Sequence, residues 1–451
     1  MFNTGPKTDR VVDNPTAIAP TVPKGITLSP SLSVIPAPSG HRKSFRCKLA
    51  LLFAGLLTSV ALGAPASTEE PIELKAAELL PANIVSGVNS QVLDPVENDG
   101  YLYIYRLKSK FGESRVVSTA TLHQRVHEFD AIADMGKLSG SSEFAKGVES
   151  QANKAIQGGV ALVTDPVGTV KRSVSGVGRM FRSVGRAISG GPSSGDSLAS
   201  EASGFSRTRR AYAARFDVDP NSRNSYLQDS LNNVSRAGFL GGAITSLGLG
   251  AIGGAGGTFL SVASRTASLS DMVTSKSGQQ LATFNTDTLA KMGVDPDLVD
   301  LFLRNDHFTA TERTAIVMAL DSMEQTKNRE AFIKFAILTD NEDVASFRSR
   351  QAAMYASYHA KEQPISEFRF VDQFGAALLK DNSLLLIAPV DYLLWTDAVA
   401  TYVDAASQSL SAEPHPARLL WLAGKASPLA LKNLQSKGWQ VKQETADLLM
   451  R

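Results

Sequence analysis

Two periodicities divide the chain. In "YLYIYRLKSKFGESRVVSTA", Tyr101 to Ala120, apolar and polar positions alternate, which predicts a β-hairpin turning near Phe111-Gly112-Glu113. Residues 67–98 ahead of it read as a polar, extended lead-in. Beyond it the apolar spacing changes to three and four residues, predicting helices over about Thr121–Met135 and Ser142–Gln157. The same spacing is most regular in Val167, Val170, Val174, Val177, Phe181, Val184 and Ile188, with Lys171, Arg172, Arg179, Arg182 and Arg186 largely off that face. A basic amphipathic helix of this kind packs its stripe within its own domain, lies on an anionic membrane, or docks in a partner groove. Gly168, Gly176, Gly178 and Gly185 each weaken it by about 1 kcal/mol relative to alanine.

A Gly/Ser-rich stretch at 191–206 reads as a flexible linker. Asp219-Pro220 and Asp295-Pro296 share a sequence echo in which Asp caps a helix and Pro takes its first position. From Asp287 to Lys361 the pattern is helical, and Thr309-Ala-Thr-Glu312 is a capping box. After Gln363 the character changes. "EFRFVD", "GAALL" and "SLLLIAP" read as strands, then a helix over 396–409, strand "ARLLWLA", helix "SPLALKNLQSKG" and strand "WQVKQE". Strands separated by helices predict an α/β unit with a parallel pair. The fold class expected is α+β: an N-terminal β-hairpin with helices over 67–190, a mainly helical region over 207–362, and a small α/β unit over 363–451.

Charge and composition change this picture in three places. The 451 residues carry a net charge of +2, which argues against a wholly basic nucleic-acid binder, so no nucleic acid is expected as a partner. A local excess of nine Lys/Arg over two Asp/Glu between Pro166 and Arg215 can attract anionic lipid or an acidic partner. The segment 41–66 has a basic start (Arg42, Lys43, Arg46, Lys48), an apolar run Leu49–Leu62 and then small residues, the order of a secretory signal. Cleavage is expected after Gly63 or Ala66; the alternative is an uncleaved inner-membrane anchor over 49–62. Residues 1–40 read as a disordered extension or a mis-assigned start. The only cysteine, Cys47, precedes the apolar run, so a cleaved chain would hold no disulfide, thiolate metal site or cysteine nucleophile.

Several stretches resemble chemical sites, and most of them lack a needed part. Ala237 to Ser264 contains no charged residue and includes the G-x-G-x-x-G match Gly248–Gly253. No βαβ unit surrounds that match, and a poor helix start follows it, which argues against a dinucleotide loop. Nine glycines and only nine large apolar residues among its 28 positions favour a packed or loop-like segment over a membrane span. His123 and His127 stand one helical turn apart but lack the glutamate of a metalloprotease motif, so no metal is expected. Asp217-Val-Asp219 begins like a calcium loop, but Ser222 and Gln228 occupy the places of its glycine and its bidentate glutamate. In the C-terminal unit, Asp391 lies just past one expected strand, and Gly424, Lys425 and Ser427 just past another. Ligands of open α/β sheets bind at such carboxyl ends, with Ser427 capping the next helix and Lys425 holding an anion. Asp391, Lys425 and Ser427 are therefore the candidate ligand-binding residues. No cofactor motif is present.

"ELLPANIV", "FDVDPNS", "GVDPDLVDLFLRNDHFT", "APVDYLLWT" and "LQSKGWQV" together resemble an uncharacterised family of proteobacterial proteins with N-terminal signals. That resemblance implies a bacterial envelope protein and supplies no catalytic residues. The function expected is an exported, non-enzymatic interaction or structural protein, in the periplasm or outside the cell, with a protein partner. Two alternatives stand beside it. One is a membrane-active protein using 167–188 and 237–264 on an anionic surface. The other is a hydrolase or ligand-binding protein acting through the C-terminal unit.

Overall fold

The computed structural model describes residues 68–139, 204–241, 267–372, 374–410 and 414–450. The signal-like segment, the helix expected over Ser142–Gln157, the basic pattern at 167–188 and the glycine-rich residues 242–264 lie outside the described residues. Within them the fold is α+β, as expected from the sequence.

The N-terminal alternation becomes part of a four-stranded antiparallel sheet. In chain order its elements are β1 (Glu73–Leu74), α1 (Ala76–Leu79), α2 (Ala82–Val85), β2 (Ser90–Asn98), β3 (Tyr103–Ser109) and β4 (Gly112–Val117), and the strands pair in the order β1-β2-β3-β4. Strand β2 corrects the extended lead-in. Its buried positions are Ser90, Val92, Val96 and Asn98, two of them polar, and its pairing with β3 shifts between Leu93 and Glu97. Both features hide the two-residue period. The β3–β4 turn lies where it was expected. A side chain on Gly112 (φ 136°) would fall 2.4 Å from the Tyr226 hydroxyl, so the turn requires glycine.

Helix α3 (Thr119–Ser139) buries Leu122, Val126, Phe129 and Ile132 against Tyr105, Leu107 and Phe111 of the sheet. Two helices complete that core, α4 (Phe205–Arg215) and α5 (Ser225–Gly241), the second through Leu227 and Leu231. The helical region then runs through α6 (Ala267–Ser275), α7 (Gly278–Lys291), α8 (Pro296–Arg304), α9 (Ala310–Asp321), α10 (Glu330–Ile337) and α11 (Glu342–Lys361). The capping box forms: the Glu312 N–H donates to Thr309 Oγ1 at 3.1 Å, and the Thr309 N–H donates to Glu312 at 2.9 Å. Asp295 caps α8 with Pro296 in its first turn. Asp219 does not cap a helix. Its carboxylate accepts the Asn221 N–H and the Thr311 hydroxyl, which fixes a turn, and α5 begins only at Ser225.

The C-terminal sheet comprises β5 (Ile365–Val371), β6 (Phe374–Leu379), β7 (Leu384–Ala388), β9 (Arg418–Leu422) and β11 (Trp439–Lys442), in the order β11-β9-β7-β6-β5. A separate parallel pair joins β8 (Tyr392–Leu393) to β10 (Lys425–Ala426). The pairs β7–β9 and β9–β11 are parallel, their crossovers carrying α12 (Asp397–Ser409) and α13 (Pro428–Ser436); α14 (Ala446–Met450) ends the fold. Both faces of this sheet are covered. Tyr355 and Tyr358 of α11 pack with Leu385, Ile387 and Trp421 on one side, and Val399, Leu434 and Trp439 pack with Leu384, Leu420 and Leu422 on the other. The second core also takes in Tyr101, Leu102, Ile104 and Val117, so it joins the N-terminal sheet to the C-terminal unit. Among the described residues no helix is long and apolar enough to cross a membrane.

Candidate functional site

The three residues singled out in the C-terminal unit lie on neighbouring backbone, since the Lys425 N–H donates to the Asp391 carbonyl at 3.1 Å. Their side chains have separate partners. The Asp391 carboxylate accepts the Tyr103 and Thr119 N–H groups at 3.0–3.2 Å, tying β3 and the start of α3 to the C-terminal unit. Burial pushes this carboxyl above its usual range, against the pull of those N–H bonds and of Arg350. Lys425 reaches Glu444 at 3.2 Å on the surface. Ser427 caps α13 through the Ala430 N–H and donates its hydroxyl to Glu69 at 2.5 Å. The capping role is the one the sequence indicated. His127 contacts the Asp217 carbonyl at 3.0 Å through Nε2, and burial lowers the His123 pKa. Among the described residues no group of three or more potential metal ligands assembles.

Convergence of polar groups occurs elsewhere. A cleft of about 340 Å³ opens between β4, the first turns of α3, the 219–226 loop and the N-terminal halves of α9 and α11. Its geometry is built on Glu128 of α3, whose side chain is 1 % exposed. Glu128 accepts from Gln124 at 3.0 Å, Ser222 at 2.6 Å, Asn224 at 3.0 Å and Arg125 at 2.9 Å. A buried carboxylate satisfied from four sides holds the loop to the helix. Arg223, carried on that loop, makes a two-pronged ion pair with Glu312 and also donates to the His307 carbonyl. Burial disfavours its charge, but the charge and hydrogen bonds of Glu312 outweigh that and raise its pKa. Ser346 of α11 donates to the same Glu312 at 2.7 Å.

Arg115 on β4 pairs with Asp343 at 3.5 Å across the cleft. Arg350 stands one and two turns further along α11 from Ser346 and Asp343, in the cleft wall. Its Nη1 donates to the hydroxyls of Ser118 at 2.7 Å and Thr121 at 3.1 Å, and among the described residues its Nε has no hydrogen-bond partner. Burial lowers its pKa, opposed by Asp391, Glu312 and Asp343. Sequence reasoning missed this site. The spacing of Asp343, Ser346 and Arg350 on one side of a helix was visible, but it reads equally as a solvated face. The chain matches no family model, no curated protein and no solved structure.

Proposed function

We propose that this is an exported, non-enzymatic binding protein of the bacterial cell envelope, and that the polar cleft is where it engages its ligand or partner. One observation carries the reading: about 340 Å³ of cleft is lined by side chains that Glu128, Asp219 and Glu312 hold in fixed positions. Concave sites with a few convergent, oriented polar groups are the usual binding sites of proteins. The cleft carboxylates are engaged with arginines, hydroxyls and backbone N–H groups, which suits recognition more than proton transfer. The signal-like order of 41–66 and the resemblance to signal-bearing proteobacterial proteins support the envelope location.

A single thiol at the cleft mouth tests the binding role. Ser225 lines the cleft and is exposed. In a Cys47→Ser, Ser225→Cys double variant, an envelope extract is expected to slow maleimide labelling, while a thiol placed at exposed Ser436 labels at the same rate with or without extract. Equal labelling at Ser225→Cys with and without extract would contradict the reading.

A further inference from the structure

We infer that the cleft takes a small zwitterion, a free amino acid or the end of a short peptide, with the ligand carboxylate on Arg350 and its ammonium near Glu342 and Asp343. The inference rests on the reading of the cleft as a binding site. Each of the other arginines that line the cleft has a carboxylate of its own: Arg115 has Asp343, Arg125 has Glu128, and Arg223 has Glu312. Arg350, 7 % exposed, hydrogen-bonds only to hydroxyls among the described residues, its charge is answered at longer range by Asp391, and its Nε–H, like that of Arg125, has no acceptor there. A buried donor without an acceptor is costly, and a guanidinium offers a planar fork that matches a carboxylate. Arg350, the one lining arginine among the described residues without a carboxylate at ion-pair distance, is therefore the place for a ligand oxyanion.

Charge balance decides what the oxyanion is attached to. Among the described residues the lining holds four arginines, at 115, 125, 223 and 350, and four carboxylates, at 219, 312, 342 and 343, with Glu128 behind Arg125 as a fifth. A ligand with only negative charge would be repelled by those carboxylates, whereas one carrying a carboxylate and an ammonium brings no net charge among them. Two of the carboxylates are held loosely enough to accept an ammonium. Glu342 is 67 % exposed and meets Arg223 only at 3.6 Å, and Asp343 meets a half-exposed Arg115 at 3.5 Å. The volume suits one small molecule or a chain end, at the lower bound of about 300 Å³ for small-ligand sites.

Calorimetric titration of the purified chain with glycine, L-leucine, L-glutamine, L-lysine, L-glutamate and alanyl-alanine tests this, with acetate, methylamine and inorganic phosphate as single-charge probes. At least one of the zwitterions is expected to bind ten times or more tighter than any single-charge probe. Arg350→Lys is expected to weaken it at least tenfold. Because that variant can disturb Ser118 and Thr121, Glu342→Gln with Asp343→Asn provides a second arm that leaves Arg350 in place. It should weaken the zwitterion at least fivefold without weakening acetate. Acetate or phosphate binding as tightly as every zwitterion would overturn the inference, as would binding indifferent to both variants, or no binding by any of the panel. If the panel fails while envelope extract still shields the thiol of Ser225→Cys, the ligand class is wrong and the binding reading stands. If the extract shields nothing either, both fall.

Discussion

Asp99 sits at the junction of the two sheets with one carboxylate oxygen bonded and the other not. Oδ1 accepts the Tyr101 and Leu102 N–H groups at 2.8–2.9 Å, and the sheltered Oδ2 has no partner among the described residues. Burial raises its pKa to about 6, helped by Asp391 and opposed by the two N–H bonds and Arg115. The native carboxyl thus keeps its proton to a higher pH than the unfolded one. Folding takes up a proton between about pH 4 and 6, and this group's contribution to stability falls as pH rises through that window, by about 3 kcal/mol in full. Asp99→Asn is expected to remove the dependence. The melting temperature of the wild type should fall relative to the variant from pH 4 to pH 7, and a constant difference between the two would count against this account. Gly424 yields a second prediction at the same scale. A Cβ there would lie 1.9 Å from the Asp391 carbonyl oxygen, and its nearest neighbours are all backbone atoms of Val390 and Asp391, with no flexible side chain to yield. Gly424→Ala is expected to cost about 3 kcal/mol, read by denaturant unfolding.

The elements show which sequence signals hold and which are overridden. Capping chemistry is local, so Thr309, Asp295 and Ser427 act at the helix starts their neighbours indicate. Asp219 makes the same bond two residues on, to the Asn221 N–H, and adds Thr311 from 92 positions away, but the chain turns there instead of entering a helix, which no short motif can announce. Strand β2 escaped notice because it is bent and its inward side is half polar, whereas the C-terminal strands, buried on both faces, stand out as apolar runs. Glu128 belongs to this scale, since one residue of α3 anchors the middle of the 219–226 loop through Ser222 and Asn224. Glu128→Ala is expected to destabilise the protein by about 3–5 kcal/mol by leaving Arg125, Ser222 and Asn224 without their acceptor. Amide exchange at 219–226 should speed up more than at β7, and a uniform change would argue against the hub.

At the scale of the molecule, the cleft exists only because distant parts of the chain meet. Ser118 and Arg350 are 232 residues apart, and Asp391 lies 288 residues from Tyr103. The α+β class and the parallel C-terminal strands were legible in periodicity, but a site assembled from β4, α3, a loop and two later helices was not. The candidates the sequence did offer, Asp391 and Ser427, turn out to fasten the C-terminal unit to Tyr103, Thr119 and Glu69. Export also belongs to this scale. Terminal sequencing of protein recovered from cells is expected to begin near Ala64 or Ser67, and recovery from the cytoplasm with Met1 intact would contradict it.

The central claim, that the protein acts by binding at its polar cleft, is tested most directly by hydrogen exchange on the chain purified from the envelope, with and without envelope extract. The account predicts slowed exchange at 219–226, 309–315 and 342–350, which line the cleft, and unchanged exchange at the edge strand β5. Protection at β5 or on the helical surfaces, with none around Arg223, Glu312 and Arg350, would contradict it.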